Sequence, residues 1–332
     1  MIISNSDRFI QNFIGDNYYI EKLDGDASTR EYFRIISPNK TCILCIDSSL
    51  KNIPLGEYPY IAIHDIFRRR DIPVPEVYSL DNINGLLLIE DLGEGILEAI
   101  YSDLSDCEIH RIYQKLIDII VEIQLTEGDD RCVPFNLSFD IDKLMFEFNF
   151  FIKHALIHYF QADISKGELE KLNSEFFKIS EILYIPGWFV LNHRDFHSRN
   201  IIIHQSKPFV IDFQDARMGL PQYDVVSLLR DSYLVLDNGL VETLKRHHYT
   251  SLNKRGYNMM TPDEYEYYFD ILAFQRNVKA IGSFAYQVAS LHNKRYEKYI
   301  APTLKYLWKY NETRKELNDA VEIIKNNIGI DL

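Results

Sequence analysis

Basic residues are in short supply: 36 Lys and Arg stand against 49 Asp and Glu, a formal net charge of −13. Nowhere do the cations form a stripe with interleaved aromatics, so the chain repels phosphate backbones and nucleic acid is excluded as an expected partner. No uninterrupted apolar run approaches the length of a membrane span. The first fifteen residues are polar and carry Asp7 and Arg8, so no signal peptide is read there. The expectation is a cytoplasmic protein with no membrane partner. Cysteine is scarce too. Cys42 and Cys45 form a C-x-x-C on a β-favouring run, with no second pair or histidine at zinc-site spacing; with Cys107 and Cys132 they read as packing thiols of a reduced compartment. Internal repeats and low-complexity segments are also missing.

With 46% hydrophobic and 26% charged residues over 332 positions, the chain has enough apolar material for two lobes, each with its own core. Residues 18–23, 31–36, 41–46 and 85–89 are short β-favouring runs, punctuated by Asp24-Gly25-Asp26 and Ser37-Pro38-Asn39. Residues 58–70 read as a helix ending before Ile72-Pro73-Val74-Pro75. From Glu108 onward, helices are expected over 108–125, 141–160, 167–183, 223–236, 262–288 and 301–327. Phe146, Phe148, Phe150 and Phe151 suit a crowded helical core better than a base-stacking platform. The expected fold is α+β and bilobal: a small antiparallel sheet lobe over 1–91, then a larger helical lobe over 92–332, with a nucleotide in the cleft between them.

The densest chemistry is in His193-Arg194-Asp195-Phe196-His197-Ser198-Arg199-Asn200, followed by Asp212 in Pro208-Phe209-Val210-Ile211-Asp212-Phe213. The first segment follows the apolar run 188–191, and a strand, a turn at Gln205-Ser206-Lys207 and a second strand come after it. Asp195 is then placed to receive or orient a hydroxyl proton, while Asn200 and Asp212 offer oxygens to Mg²⁺. Loop capping and turn formation are the plain alternative for all three.

These stretches, with residues 25–34, 211–219, 223–233 and 275–279, resemble the aminoglycoside phosphotransferase superfamily, small-molecule relatives of the protein kinases. Within it, the likeness is to the cytosolic kinases that phosphorylate N-acetylmuramate and N-acetylglucosamine at the anomeric hydroxyl in cell-wall recycling. The resemblance spans nearly the whole chain and implies a protein-kinase-like fold, ATP and Mg²⁺ as cofactors, a small amino sugar as partner, and a monomer. It also implies that Gly25, Asp26, Ala27 and Ser28 form a phosphate-facing turn, which as a lone turn could equally be an ordinary hairpin. The backbone of Glu90, Asp91 and Leu92 is expected to hold the adenine edge. No lysine stands on the third strand, Thr41 to Ile46, where kinases present one to the phosphates, so Arg30 or Arg34 is the expected substitute. His193 and Asp224 would brace the catalytic loop, Asp224 having helix N-capping as its alternative. His197, Arg230, Asp231, Tyr233, Arg276 and Lys279 are the acceptor-site candidates. Arg230 with Tyr233, and Arg276 with Lys279, are expected to share helix faces, although a solvated helical charge pattern would explain either pair alone. Two other functions stay open: a phosphotransferase acting on aminoglycosides or amino alcohols, and a nucleotide-binding pseudokinase.

Overall fold

The computed structural model of the chain describes residues 6–23, 30–128 and 132–329. They fall into two compact units, one from 1–102 with 200–215, the other from 103–199 with 216–332. Where the sequence reading divides the chain once, at residue 91, these units divide it three times, because a hairpin from mid-chain belongs with the sheet.

The first unit contains α1 (Asp7–Ile14), β1 (Tyr19–Leu23), β2 (Glu31–Ile36), β3 (Thr41–Ile46), α2 (Pro59–Arg69), β4 (Val77–Asp81), β5 (Leu86–Glu90) and the short α3 (Leu97–Ile100). Its five strands form one antiparallel sheet in the order β1-β2-β3-β5-β4. The runs Cys42-Ile43-Leu44-Cys45 on β3 and Leu86 to Ile89 on β5 are buried on both faces. That is why they read as continuous apolar stretches instead of alternating ones. On one face Cys42, Leu44, Leu86 and Leu88 pack with Ile35 and with Ile10 of α1. Both thiols are free, and burial pushes them up to about 11 for Cys42 and about 12 for Cys45. Neither α1 nor β4 is among the elements expected from the sequence.

The second unit begins with α4 (Asp106–Gln124), α5 (Ile141–Phe151) running into a π-helical segment (Ile152–Tyr159), α6 (Lys166–Leu183) and β6 (Val190–Asn192). The chain then enters the first unit for the hairpin β7 (Ile201–His204) and β8 (Lys207–Val210). It returns with β9 (Arg217–Gly219), which pairs with β6, then α7 (Gln222–Leu229), α8 (Asn238–Lys254), α9 (Pro262–Ala289), α10 (Glu297–Thr313) and α11 (Asn318–Ile328). Reciprocal caps start three of these helices: Ser105 with Glu108, Ser165 with Glu168, and Thr261 with Glu264. At α9, Pro262 adds a pre-set first turn.

Two expected helices are corrected. Residues 223–236 are helical only to Leu229, because the groups that would continue the helix are used elsewhere: the Arg230 carbonyl accepts from Asn277 Nδ2 and the Tyr233 N–H donates to Asp231 Oδ1. Residues 301–327 are two helices, interrupted where Arg314 turns extended. A helix at α8 was not expected; its polar sequence hides it, and Asp237 caps it through the N–H groups of Gly239 and Leu240.

Residues 271–278 of α9 are buried without a break, so this helix runs through the middle of its unit. Gly282 allows the α5 backbone to approach closely, since a Cβ there would lie 2.9 Å from Phe151 Cα. In the same buried stretch stand Gln275, Arg276 and Asn277, three consecutive polar residues that must find partners inside the protein.

Candidate active site

Two buried aspartates hold the loop after β6. Asp224, on α7, accepts the backbone N–H groups of His193 at 2.6 Å and Arg194 at 3.0 Å. Burial pushes its carboxyl up to about 7 against the pull of those bonds. Arg194 itself has φ of 85°, a conformation costly for a side-chain-bearing residue and maintained here by the bond to Asp224. Asp231 takes the other end of the loop: Oδ2 accepts Ser198 N–H at 2.9 Å while Oδ1 accepts Tyr233 N–H at 2.8 Å. Asp224 is therefore inside the first turn of α7, with its carboxylate turned to the loop, and Asp231 spends both oxygens on backbone. His193 is fully buried, with Nδ1 3.3 Å from Asp195 N.

Asp195 sits between these clamps. Its Oδ1 accepts Lys279 Nζ at 2.9 Å and Arg276 Nη1 at 3.4 Å, and Arg194 Nε lies 3.8 Å from Oδ2. Burial alone would raise its pKa; Lys279, Arg194 and Arg276 outweigh that and hold the carboxyl well below the usual carboxylate range. Lys279 shows the opposite balance: burial lowers it to about 8 in spite of Asp195. His197 is kept neutral, burial dropping it to about 3. Arg276 and Lys279 do share a face of α9, one turn apart, both turned to Asp195. Arg276 is further fixed by the Tyr223 hydroxyl at 2.9 Å.

Asp195 and all six acceptor-site candidates line one cavity of about 90 Å³. Tyr233 is braced within its wall by His197, ring to ring at 5.1 Å, and by Arg199 over its face at 5.0 Å. Arg230 and Tyr233 reach this cavity from an irregular segment, and the shared helix face expected for them is absent because α7 stops before Arg230. Asn277, Ser227 and Tyr223 were missed as site residues. Only Asn277 carried a signal, as the last of three consecutive polar residues in an apolar stretch of helix.

In the first unit, the β7–β8 hairpin turns through Gln205 and Ser206, both at positive φ, and Ile211 N–H donates to the Asn200 carbonyl at 3.0 Å. Asn200 and Asp212 are thereby brought to the same open end of the hairpin. Asp212 is exposed, stands at φ of 64°, and accepts Gln214 Nε2 at 2.7 Å. A carboxylate and an amide oxygen at one hairpin end fit a hard cation such as Mg²⁺.

The two expected lysine substitutes are engaged by carboxylates of the same unit. Arg30 donates to Asp47 at 2.7 Å, and Arg34 meets Asp91 at 3.0 and 3.3 Å and Glu94 at 3.0 Å. Asp47 also accepts from Tyr58 and Ser49 and drops to about 2; burial opposes this, but the Ser49, Arg30 and Tyr58 hydrogen bonds prevail. Of the backbone expected to meet adenine, Glu90 N–H is given to the Glu76 carbonyl and the Leu92 carbonyl faces His204 Nδ1 at 3.0 Å. Gly25, Asp26, Ala27 and Ser28 lie outside the described residues.

Comparisons with known proteins agree in direction. The chain is 25% identical over 310 residues to the N-acetylmuramate/N-acetylglucosamine kinase of Neisseria meningitidis serogroup B, covering 92% of this chain and 89% of that protein. It is 26% identical over 311 residues to the protein of the same name from Pseudomonas putida, covering 90% and 85%. Its fold is similar to the crystal structure of the ADP-bound aminoglycoside phosphotransferase APH(2″)-Ib, with a TM-score of 0.63 and 15% identity over 96% of this chain and 98% of that one. The α+β, kinase-like fold is thus shared with that structure. Residues 20–257 match the phosphotransferase enzyme family directly, and on that match the chain belongs to this family of kinase-type enzymes.

Proposed function

We propose that this enzyme transfers the γ-phosphate of ATP to the anomeric hydroxyl of N-acetylmuramate or N-acetylglucosamine, releasing ADP and the sugar 1-phosphate. The observation that carries the proposal is the Asp195 carboxylate, held by two clamps beside a cavity whose other charged walls include Arg230, Arg276 and Lys279. The names of the curated relatives support the same acceptor class.

Asp195 receives the proton of the attacking hydroxyl, or aligns it. An anomeric hydroxyl is more acidic than the other hydroxyls of a sugar, so a carboxylate of low basicity suffices. Arg276 and Lys279 keep Asp195 ionised, and His197, being neutral, adds a ring that can donate or accept without adding charge. Asn200 and Asp212 would hold Mg²⁺, which when bound neutralises charge on the phosphates. The adenine edge is assigned to the Glu90–Leu92 backbone, the phosphates to residues 25–28, with Arg30 or Arg34 recruited from their carboxylate partners. ATP as donor suits a cytosolic monomer serving peptidoglycan recycling.

The acceptor cavity sets three cations, Arg230, Arg276 and Lys279, against two carboxylates, Asp195 and Asp231, a balance that suits a neutral or anionic sugar better than a polycationic aminoglycoside, despite the acidic chain. A pseudokinase reading has the missing strand lysine in its favour and the complete set Asp195, Asn200 and Asp212 against it. ADP release measured with N-acetylmuramate, N-acetylglucosamine, kanamycin and choline separates these readings. Turnover with kanamycin or choline alone defeats the sugar assignment, and no turnover with any acceptor favours the pseudokinase.

A further inference from the structure

Lys279 stands between two carboxylates. Its Nζ donates to Asp195 Oδ1 at 2.9 Å and lies 3.9 Å from Oε1 of Glu147, a buried residue of α5. Glu147 is only half used. Its Oε2 accepts Gln275 Nε2 at 2.8 Å, but Oε1 accepts no hydrogen bond, with Lys143 Nζ also at 3.9 Å. A buried carboxylate oxygen left in this way is costly, and side chains around it are under pressure to supply a donor. Asp195 Oδ1 has the reverse problem, since it already accepts two cationic donors where a sugar hydroxyl must come.

We propose that Lys279 is a positioning residue that alternates between the two carboxylates, resting on Asp195 before the acceptor arrives and passing to Glu147 Oε1 when the acceptor hydroxyl takes its place. The inference rests on the reading of Asp195 as the group that receives that hydroxyl. The flexible four-carbon stem of lysine accommodates such an exchange without backbone movement. Arg276 does not follow, because Tyr223 holds its Nη1 at 2.9 Å. The cation leaves a carboxylate only to meet another, so no buried charge is stranded at any stage. With Lys279 withdrawn, the hydroxyl donates to Oδ1, its oxygen bonds to the γ-phosphorus, the bridging bond of ATP breaks with its electron pair going to ADP, and the proton stays on Asp195 until product leaves. The charged or titrating groups facing Lys279 are Arg194, Asp195 and His197 from the loop, Glu147 with Lys143 behind it from α5, Tyr223 from α7, and Arg276 from its own helix.

The test is a double-mutant cycle of Glu147→Gln and Lys279→Met, read by kcat, KM for each substrate, pH profile and thermal midpoint. Glu147→Gln should lower kcat about tenfold with KM for ATP unchanged, and in the Lys279→Met background the same substitution should change kcat by less than about twofold, as expected of coupled neighbours. A second reading needs no change at Lys279. Because burial lowers that amine, and loss of the Glu147 charge lowers it further, the kcat deficit of Glu147→Gln should shrink as the pH is raised, as the neutral amine releases Asp195 without help. A Glu147→Gln defect of equal size in both backgrounds and at all pH values would be structural and overturns the exchange. The prior reading fails separately: Asp195→Asn with near-normal turnover removes the proton acceptor whatever the cycle gives, whereas an inactive Asp195→Asn with an additive cycle removes only the exchange.

Discussion

Asp231→Asn separates the role read from its sequence neighbourhood from the one its geometry supports. Its place in the sequence makes it an acceptor-site candidate, yet in the structure its two oxygens accept the N–H groups of Ser198 and Tyr233 from a position only 2% exposed. Asparagine keeps one acceptor oxygen and turns an NH₂ toward the second N–H. One buried donor is left without a partner, which costs about 1 to 3 kcal/mol. For a chain of this size each kcal/mol moves the thermal midpoint by roughly 2 °C, so a drop of a few degrees is expected. The loop bearing Asp195 loses its second anchor, and kcat should fall by about tenfold or more, since small displacements of a reacting group are expensive. The loss should be equal for N-acetylmuramate and N-acetylglucosamine, with KM for either sugar within about twofold because no sugar contact is removed. Thermal unfolding beside a coupled ADP assay measures both effects. An unchanged midpoint with a large rise in sugar KM would make Asp231 a sugar ligand and refute the clamp.

Asp195→Asn should abolish turnover while Mg·ATP still binds, whereas Asp212→Ala should weaken the metal-dependent part of nucleotide binding, seen by titrating ATP with and without Mg²⁺. The depressed pKa of Asp195 gives a signed expectation: its stabilising contribution is complete above the unfolded carboxyl pKa and is lost as pH falls toward the lower folded value, so the gap in thermal midpoint between wild type and Asp195→Asn should close below about pH 4. His248 is brought by burial to about 3 and stays neutral, with Nδ1 2.9 Å from the Tyr265 hydroxyl and Nε2 2.8 Å from Gln124 Oε1. Its contribution is therefore present above the unfolded histidine pKa and lost on acidification, about 2 kcal/mol between pH 6.5 and 5, and His248→Gln should flatten that slope of stability against pH. Arg276→Ala or Arg230→Ala should harm N-acetylmuramate more than N-acetylglucosamine in kcat/KM, because only the former offers a carboxylate to a guanidinium; equal losses for both sugars would remove that role.

What could be read from sequence was whatever depends on near neighbours. Strands β2 and β3 were legible to the residue because turn formers bracket them, and Asp195, Asn200 and Asp212 stood out as candidates because phosphoryl transfer asks for oxygen-bearing groups at that spacing. The end of α7 was not. Besides the local bond from Tyr233 N–H to Asp231 Oδ1, what ends the helix is Asn277, 47 residues away, taking the Arg230 carbonyl. Glu147 was invisible for the same reason. Among phenylalanines on α5 it looks like a solvent-facing acid, and only the packing of α5 on α9 turns it inward to Gln275 and Lys279. The arginines near residues 25–28 were legible as cations, but their carboxylate partners Asp47, Asp91 and Glu94 come from other strands and loops.

Those arginine pairs bear on how a kinase-type fold can manage without a strand lysine. A lysine on β3 would have to point from a strand that is buried on both faces, where Cys42 to Cys45 now fill the core. Arg34, on β2, stands opposite Ile43 in the β2–β3 register, and its own burial is offset by its carboxylate partners Asp91 and Glu94. Asp91 and Glu94, in the segment after β5, accept hydrogen bonds from its guanidinium, so for Arg34 to act as the proposed phosphate ligand a phosphate would have to displace them. If Arg34 serves in this way, Arg34→Ala should raise KM for ATP and lower kcat together, while Asp91→Asn should weaken the competitor and leave ATP affinity equal or tighter. Unchanged ATP affinity and turnover in Arg34→Ala would leave the phosphates to Arg30, whose bond to the buried Asp47 is the harder of the two to exchange.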